Sequence, residues 1–420
     1  MDAEIFANGD EITTGIITDT NTPWLSRELT DLGIAVRFHT AVDDEFDDMV
    51  SVLRIAMKRV GLIIWTGGLG PTPDDLTREA FAAAAGVPLI QDPASLQHLE
   101  SIMQRRGGQI VPNALSQTYL PQGAVKIFNP RGTAPGIDLT VKRADVFPGE
   151  PIPEGRLDFI RMLAFPGVPA EMMEMWHHSG RQMMLTMLDS LRGERRIFTT
   201  RAIHAFGMGE SQVANLLSDI LQRDHIPQVG ITATQGTITL RIIAEAATEE
   251  EGTQINEPVA RRIYEVLGER VFGEGEDTLA DVVCRIVNAQ DKKIAVVEAG
   301  TRGLLAKALG SSKESATCFL GGVVLPPRRP VAPDRMIEVG RKMFDADYLL
   351  LIGAYPEGQP DRTRSDETFV AVINAKDLNL QTSVLQMRNF PFVGHPAIID
   401  DLYVKRVLDI FRLHFAVAGG

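Results

Sequence analysis

Two acidic pairs stand where the chain leaves an apolar run. Asp10 and Glu11 follow "AEIFANG", and Asp74 and Asp75 close "GLIIWTGGLGPTPDD". Hard cations take carboxylate oxygens together with phosphate oxygens, so either pair could hold a divalent cation against a pyrophosphate. Gly67, Gly68 and Gly70 lie between an apolar strand-like run and a helix-like stretch. Glycine at such a junction lets backbone N–H groups approach a phosphate, with the positive end of the helix behind it. Tight turns need glycine as well, and the run has neither the G-K-[ST] ending of a P-loop nor the G-x-G-x-x-G spacing. Asp74 and Asp75 also admit a second reading. Acids in a first helical turn favour the macrodipole, and Asp75 three residues after Thr72 is close to a capping box.

The elements that must position these residues alternate in type. "AEIFA", "IAVRFHTAV" and "GLIIWT" read as strands, the last too short and too apolar to be anything but buried. Between them, "TPWLSRELTDLG" reads as a helix with Thr22 as N-cap, Pro23 in its first turn and Leu25, Leu29 and Leu32 on one face. A second helix carries Phe46, Met49, Val50, Leu53 and Met57 at helical spacing, and a third, starting behind Thr72, ends at Gly86. This rhythm is that of an α/β domain with helices on both faces of a mostly parallel sheet, which binds ligands at the carboxyl ends of its strands. If "AEIFA" and "GLIIWT" run parallel, both acidic loops open onto one edge. Asn113 and Gln117, four apart on a possible helix, and the loops "GTAPG" and "FPGVPAE" are weaker signals, each more often only a turn.

The totals exclude several classes. A chain of 420 residues exceeds what one core usually serves, so two or three domains are expected. No apolar run reaches the roughly 18 residues a membrane span needs, and the start "MDAEIFANGD" lacks the basic and apolar regions of a secretory signal. A net charge of −13 argues against direct nucleic-acid binding. The two cysteines, Cys284 and Cys318, have no metal-ligand spacing and suit a reduced cytoplasmic protein.

"GDEITTGIITDTNTPWLS", "TGGLGPTPDDLT", "GTAPG" and "FPGVPAEM", in that order and spacing, resemble the CinA family of competence/damage-inducible proteins. The first two are also similar to the molybdopterin-cofactor-binding fold. The resemblance implies a three-layer α/β/α domain over 1–173, a small α+β domain over 174–273 carrying "FGMGESQV" and "GTITLRIIA", and an α/β C-terminal domain over 274–420. It implies a cytoplasmic homodimer whose N-terminal domain hydrolyses the pyrophosphate of ADP-ribose with a divalent metal (Mg, Mn or Co). Carried onto this chain, Glu11, Asp74 and Asp75 would hold the cation and activate water. Gly9, Asp10 and Asn21 on the first loop and Thr66, Gly67, Gly68, Gly70, Thr72 and Thr77 on the second would bind the nucleotide, with Gly136, Pro166 and Gly167 on later turns. Many family sequences read G-T-E where this chain has Gly9-Asp10-Glu11.

The C-terminal stretch departs further. The family's deamidase pattern E-S-C-T-G-G stands here as "EAGTRG", with Ala299 at the serine position and Arg302 at a glycine. "GGVVLPPRRP" puts Val331 where a lysine belongs, and "IGAYPEGQP" replaces a glycine-rich segment. A side chain with neither hydroxyl nor thiol cannot attack an amide, so nicotinamide mononucleotide deamidation is expected to be lost. The alternative to a pyrophosphatase is a non-catalytic nucleotide- or pterin-binding regulator or scaffold.

Overall fold

The computed structural model describes the chain except residue 1 and residues 106–111, 153–155, 193–196, 223, 328, 359, 361–365 and 418–420. The chain divides into two compact units, Met1–Phe198 with Glu245–Gly252, and Thr199–Ala244 with Thr253–Gly420. Among the described residues no helix is long and apolar enough to cross a membrane.

The first unit opens with β1 (Asp2–Asn8), α1 (Asp10–Thr13), α2 (Asn21–Asp31), β2 (Ala35–Val42), α3 (Phe46–Arg59), β3 (Leu62–Thr66) and α4 (Thr77–Ala85). Three more strands, β4 (Val125–Ile127), β5 (Gly136–Lys142) and β6 (Phe159–Phe165), complete a sheet of order β2-β1-β3-β6-β5-β4. β1 pairs parallel with β2 and β3, and β3 pairs parallel with β6, with Ala7 opposite Thr66 and Thr66 opposite Phe165. The carboxyl ends of β1, β3 and β6 therefore share one edge.

Every residue of β3 is buried, because both faces are covered. Phe6, Ile63 and Trp65 pack with Met49, Leu53 and Met57 of α3 on one face, and Ile5, Leu62 and Ile64 with Leu25 and Leu29 of α2 on the other. That is the expected three-layer α/β/α arrangement. Phe46 departs from the expected stripe and is 37% exposed.

Helix starts also differ from expectation. The Asp19 carboxylate, rather than Thr22, accepts from the N–H groups of Asn21 and Thr22, both at 3.0 Å. α4 begins at Thr77, so Asp74 and Asp75 precede it rather than occupying its first turn. The expected boundary after residue 173 falls inside a continuous helical stretch, Pro169–Met175, Trp176–Gly180 and Arg181–Arg192. Met175, Trp176 and Met184 of that stretch are buried with Ile5 and Ile64, which ties it to the first unit.

Residues of the second unit make up most of a four-stranded sheet, in order Gln228–Thr234, Thr237–Ala246, Ile197–Phe206 and Val271–Glu274, onto which Val259 and Ile263 of the helix Glu249–Leu267 pack. A five-stranded sheet follows, in order Phe319–Val324, Ile294–Glu298, Tyr348–Ile352, Glu367–Asn374 and Val384–Pro391. Cys284 and Cys318 are fully buried beneath it, and burial pushes the Cys284 thiol up to about 12. Neither is a reactive thiol.

Glu4 in the central strand β1 is 0% exposed. Arg59 Nε donates to its carboxylate at 2.9 Å and Thr40 Oγ1 at 2.7 Å. Arg59 is 35% exposed and Thr40 would still donate to Glu4, so removing the guanidinium costs about 1–3 kcal/mol for the under-satisfied carboxylate. Arg59→Met is expected to destabilise the first unit by about that much in urea unfolding, and adding Glu4→Gln to recover most of the loss. An unchanged midpoint for Arg59→Met would show that the pair contributes nothing.

Candidate functional site

The site is built at the shared strand edge by four loops. After β1, Gly9 turns the chain with φ 152° and donates its N–H to Val42 O at 3.1 Å. The Asp44 backbone N–H donates to Asp10 Oδ1, and the Asp10 N–H to Asp44 Oδ2, each at 3.2 Å. Asp10 thus clips the first loop to the loop after β2, and the hydroxyls of Thr13 and Thr14 donate back to the Asp10 carbonyl at 3.2 and 2.5 Å. Glu11 and Asp44, not Asp10, line the cavity that results.

The glycine loop after β3 is shaped by contact. A Cβ on Gly67, where φ is 108°, would lie 2.4 Å from Asn8 O, and one on Gly68, where φ is 62°, 2.4 Å from Thr77 Oγ1. No other residue fits either position. Thr77 Oγ1 donates to Gly67 O at 2.9 Å, and Arg78, 1% exposed, donates to Leu69 O and Gly70 O, both at 2.8 Å. Asp75 is drawn inward: its carboxylate accepts from Gly70 N at 2.7 Å, Thr72 N at 2.8 Å and Thr72 Oγ1 at 2.5 Å. The loop is therefore held from within by Asp75 and Arg78, and its shape does not depend on a ligand.

The remaining walls come from the loops after β4 and β6. Asn129, 3% exposed, accepts from the N–H groups of Arg131 and Gly132 at 3.0 and 2.9 Å and donates to Glu171 Oε2 at 2.8 Å. Pro166, Gly167 and Val168 close the floor, and the Gly167 carbonyl accepts from Asn21 Nδ2 at 2.8 Å. The cavity measures about 630 Å³, large enough for a nucleotide.

Of the expected residues, Gly9, Glu11, Gly67, Gly68, Gly70, Asp74, Asp75, Pro166 and Gly167 line the cavity. The others support it from behind or lie elsewhere. Thr66 Oγ1 donates to Phe6 O at 3.1 Å within the sheet, Thr72 and Thr77 bind the loop itself, and Asn21 holds the Gly167 turn. Gly136 is a packing glycine, since a Cβ there would lie 2.6 Å from Ala164 O. The expected cation ligands do not come together as a triad. Among the described residues no three His, Cys, Asp or Glu side chains converge on a metal position, and the Asp75 oxygens are taken by loop N–H groups.

Two residues absent from the expected set matter more. Asn8, 4% exposed, donates Nδ2 to Asp43 O and Asp44 Oδ1, both at 2.9 Å, while its Oδ1 has no partner. Gln117, 2% exposed, donates Nε2 to Leu69 O at 3.4 Å, and its Oε1 is equally unpartnered. Both line the cavity. A buried acceptor without a donor costs about 1–3 kcal/mol, so two in one cavity mark positions a ligand would satisfy. Electrostatically the cavity is acidic: among the described residues, Glu11, Asp44, Asp74, Asp75 and Glu171 line it against one guanidinium, Arg131. Burial raises the Asp44 carboxyl above its ordinary range, and the charges of Asp10 and Glu11 push the same way.

The positions aligned with a deamidase are closed. Ala299 is 0% exposed, and the neighbouring Glu298 carboxylate accepts from Thr301 Oγ1, Leu305 N and Ala306 N at 2.5, 3.1 and 2.8 Å. A Cβ on Gly300 would lie 2.3 Å from the ring of Tyr355, which is 5% exposed and packs on Phe392 with ring centres 4.8 Å apart. Arg302 sits at φ 54°, a left-handed conformation that suits the glycine it replaces. Val331 packs against the core. The cavity left beside Arg302 and Tyr355 is about 90 Å³, too small for a nucleotide. Arg328 and Gln359, within the two altered stretches, lie outside the described residues.

The family model described as "Probable molybdopterin binding domain" matches residues 4–186, and "Damage-inducible protein CinA KH domain" matches residues 200–273. A CinA-like protein of Crocosphaera subtropica is 35% identical over 324 residues, 77% of this chain and 74% of its own length. One from a Nostoc species is 34% identical over 354 residues, covering 84% of this chain and 77% of its own. Among solved structures, the protein CinA from Thermoplasma acidophilum is 29% identical, covers 43% of this chain and 97% of its own, and superposes with a TM-score of 0.37. With relatives of this identity spanning most of both sequences, the chain belongs to the CinA-like family, and its first unit carries that family's molybdopterin-binding-like α/β domain.

Proposed function

We propose that the first unit binds a pyrophosphate-bearing nucleotide of the ADP-ribose class together with a divalent cation, and hydrolyses its pyrophosphate. The observation that carries this reading is the combination of a glycine loop at the carboxyl end of β3 and a cavity wall rich in carboxylates. A pyrophosphate alone would be repelled by Glu11, Asp44 and Asp74, whereas one accompanied by a cation would not. The donor chemistry fits Mg²⁺ or Mn²⁺ (or Co²⁺) sharing its shell with phosphate oxygens, a mode that asks for only one or two protein carboxylates. Glu11 and Asp44 would hold it, Asp44 through the lone pairs left on Oδ1 and Oδ2 by their single hydrogen bonds from Asn8 Nδ2 and Asp10 N, with the unpartnered Asn8 Oδ1 as a further oxygen donor. When bound, such a cation supplies neutralisation of charge on the phosphates.

The chain's own groups do the rest. The backbone of Gly68 and Leu69 positions the phosphates, the N–H groups of Gly67 and Gly70 being taken by Phe165 O and Asp75 Oδ1, while Gln117 Oε1 accepts from an N–H of the ligand and Glu11 accepts the proton of the attacking water. A second reading, binding of a nucleotide or pterin without turnover, is favoured by Asp75, whose commitment to the loop removes one of the carboxylates expected to activate water. Homodimer formation in the cytoplasm belongs to the same proposal. We further propose that the C-terminal part of the second unit does not deamidate nicotinamide mononucleotide, because Ala299 offers no nucleophile and Tyr355 occupies the space above Gly300.

With ADP-ribose and Mn²⁺ or Mg²⁺, release of AMP is expected, falling about 100-fold or more in Glu11→Ala, the size of a lost general base. Calorimetric binding without any AMP would replace hydrolysis by the second reading, and neither binding nor AMP would remove both. Asp75→Asn distinguishes a loop support from a metal ligand. It is expected to lower stability by about 1–3 kcal/mol and to raise KM more than it lowers kcat. Loss of kcat with unchanged stability would assign the metal role instead. For the C-terminal part, no ammonia is expected from nicotinamide mononucleotide, even in Ala299→Ser, since the hydroxyl would meet no open cavity. Ammonia release by either protein would contradict the closed site.

A further inference from the structure

The second unit of this acidic chain contains a cavity of about 750 Å³ with the opposite electrostatic character. Arg270, Arg388, Arg406 and Arg412 line it, against the carboxylates of Glu269 and Asp409. Their hydrogen bonds show which of these cations is already used. Arg412, 7% exposed, donates to Asp409 Oδ1 at 2.6 Å and to Glu269 O at 2.7 Å. Arg270 Nη1 donates to Gly207 O at 3.0 Å. Arg406 lies over the rings of Phe390 and Tyr403, 4.4 and 4.9 Å from their centres, and its Nη1 is buried without an acceptor. Arg388 stands exposed on the strand Val384–Pro391 and acts on the same Asp409 that Arg412 already binds.

We propose that this cavity is a binding site for a nucleoside monophosphate, with Arg388 and Arg406 receiving the phosphate and the apolar wall of Phe206, Leu267 and Leu402 receiving the nucleoside. Four guanidiniums against two carboxylates leave an excess of two positive charges, which matches the charge of a phosphate monoester, about −1.5 to −2 near neutral pH. A guanidinium fork also matches phosphate oxygens in pairs. The volume is that of a small-molecule site. Asp409 is bonded by Arg412 and is acted on by Arg388 and Arg270 as well, one carboxylate among three guanidiniums. No cation is needed here, in contrast to the first unit, and the two proposals therefore fail independently.

The test is calorimetry of the full chain with AMP in buffer containing EDTA. Saturable, salt-sensitive binding is expected. It should weaken at least about tenfold in Arg388→Glu, as loss of a charge-assisted phosphate contact and its replacement by a like charge require. Arg388 is exposed, so this variant keeps its fold, and Arg406→Gln with an unchanged melting temperature serves as the second. Glu11→Gln should bind AMP as the parent chain does. The proposal is overturned by the absence of AMP binding, by binding unaltered in both arginine variants, by loss of binding in Glu11→Gln, or by a single-stranded oligonucleotide binding where AMP does not.

Discussion

The first unit depends on how closely two backbones approach at the end of its sheet. Gly67 follows β3 so near to β1 that a Cβ would fall 2.4 Å from the Asn8 carbonyl oxygen. Because β1 and β3 are parallel and in register from Ala3–Leu62 to Ala7–Thr66, their loops leave the sheet side by side. That approach turns two separate strand exits into one wall, with Asn8, Gly9 and Glu11 meeting Gly67 and Gly68 across it. The loop is then fixed by groups behind it, Thr77 and Arg78 on its carbonyls and Asp75 on its N–H groups. A preformed loop of this kind keeps the ordering cost out of ligand binding.

Charge separates the acidic cavity of the first unit from the arginine-lined cavity of the second. In the first unit, carboxylates surround the glycine loop, a combination that favours an anion only in company with a cation. In the second, arginines outnumber acids, and one buried Nη1 lacks an acceptor. In the C-terminal part of the second unit, the space above Gly300 is filled by the Tyr355 ring, which packs in an aromatic group with Phe392 and Tyr403.

The fold of the first unit was legible because its signals are local. "GLIIWT" could only be a doubly covered strand, and Leu25, Leu29, Met49, Leu53 and Met57 fall on the faces their spacing implies. The shared edge followed from parallel pairing. What was not legible were the directions of individual side chains. Asp75 looks like a helix cap or a ligand in sequence, yet it turns inward because Gly70 leaves room for its carboxylate and offers an N–H. Asp10 looks like a site residue, yet it bonds with Asp44, thirty-four positions on, a pairing that no spacing within one loop reveals. Asn8 and Asp44 could have been found by asking which polar residues end β1 and β2. Gln117 was visible only as a weak i, i+4 signal, because its burial depends on a loop from elsewhere in the chain.

The central claim is that the first unit takes a pyrophosphate through its glycine loop and a cation through Glu11 and Asp44. A crystal structure of the chain with ADP-ribose and Mn²⁺ tests it most directly, since the anomalous signal of the metal locates the cation independently of the nucleotide. The account predicts phosphates against Gly67–Gly70 and the metal peak between the phosphate oxygens and the carboxylates of Glu11 and Asp44. A peak on Asp74 and Asp75, or a nucleotide bound away from this loop, would contradict it.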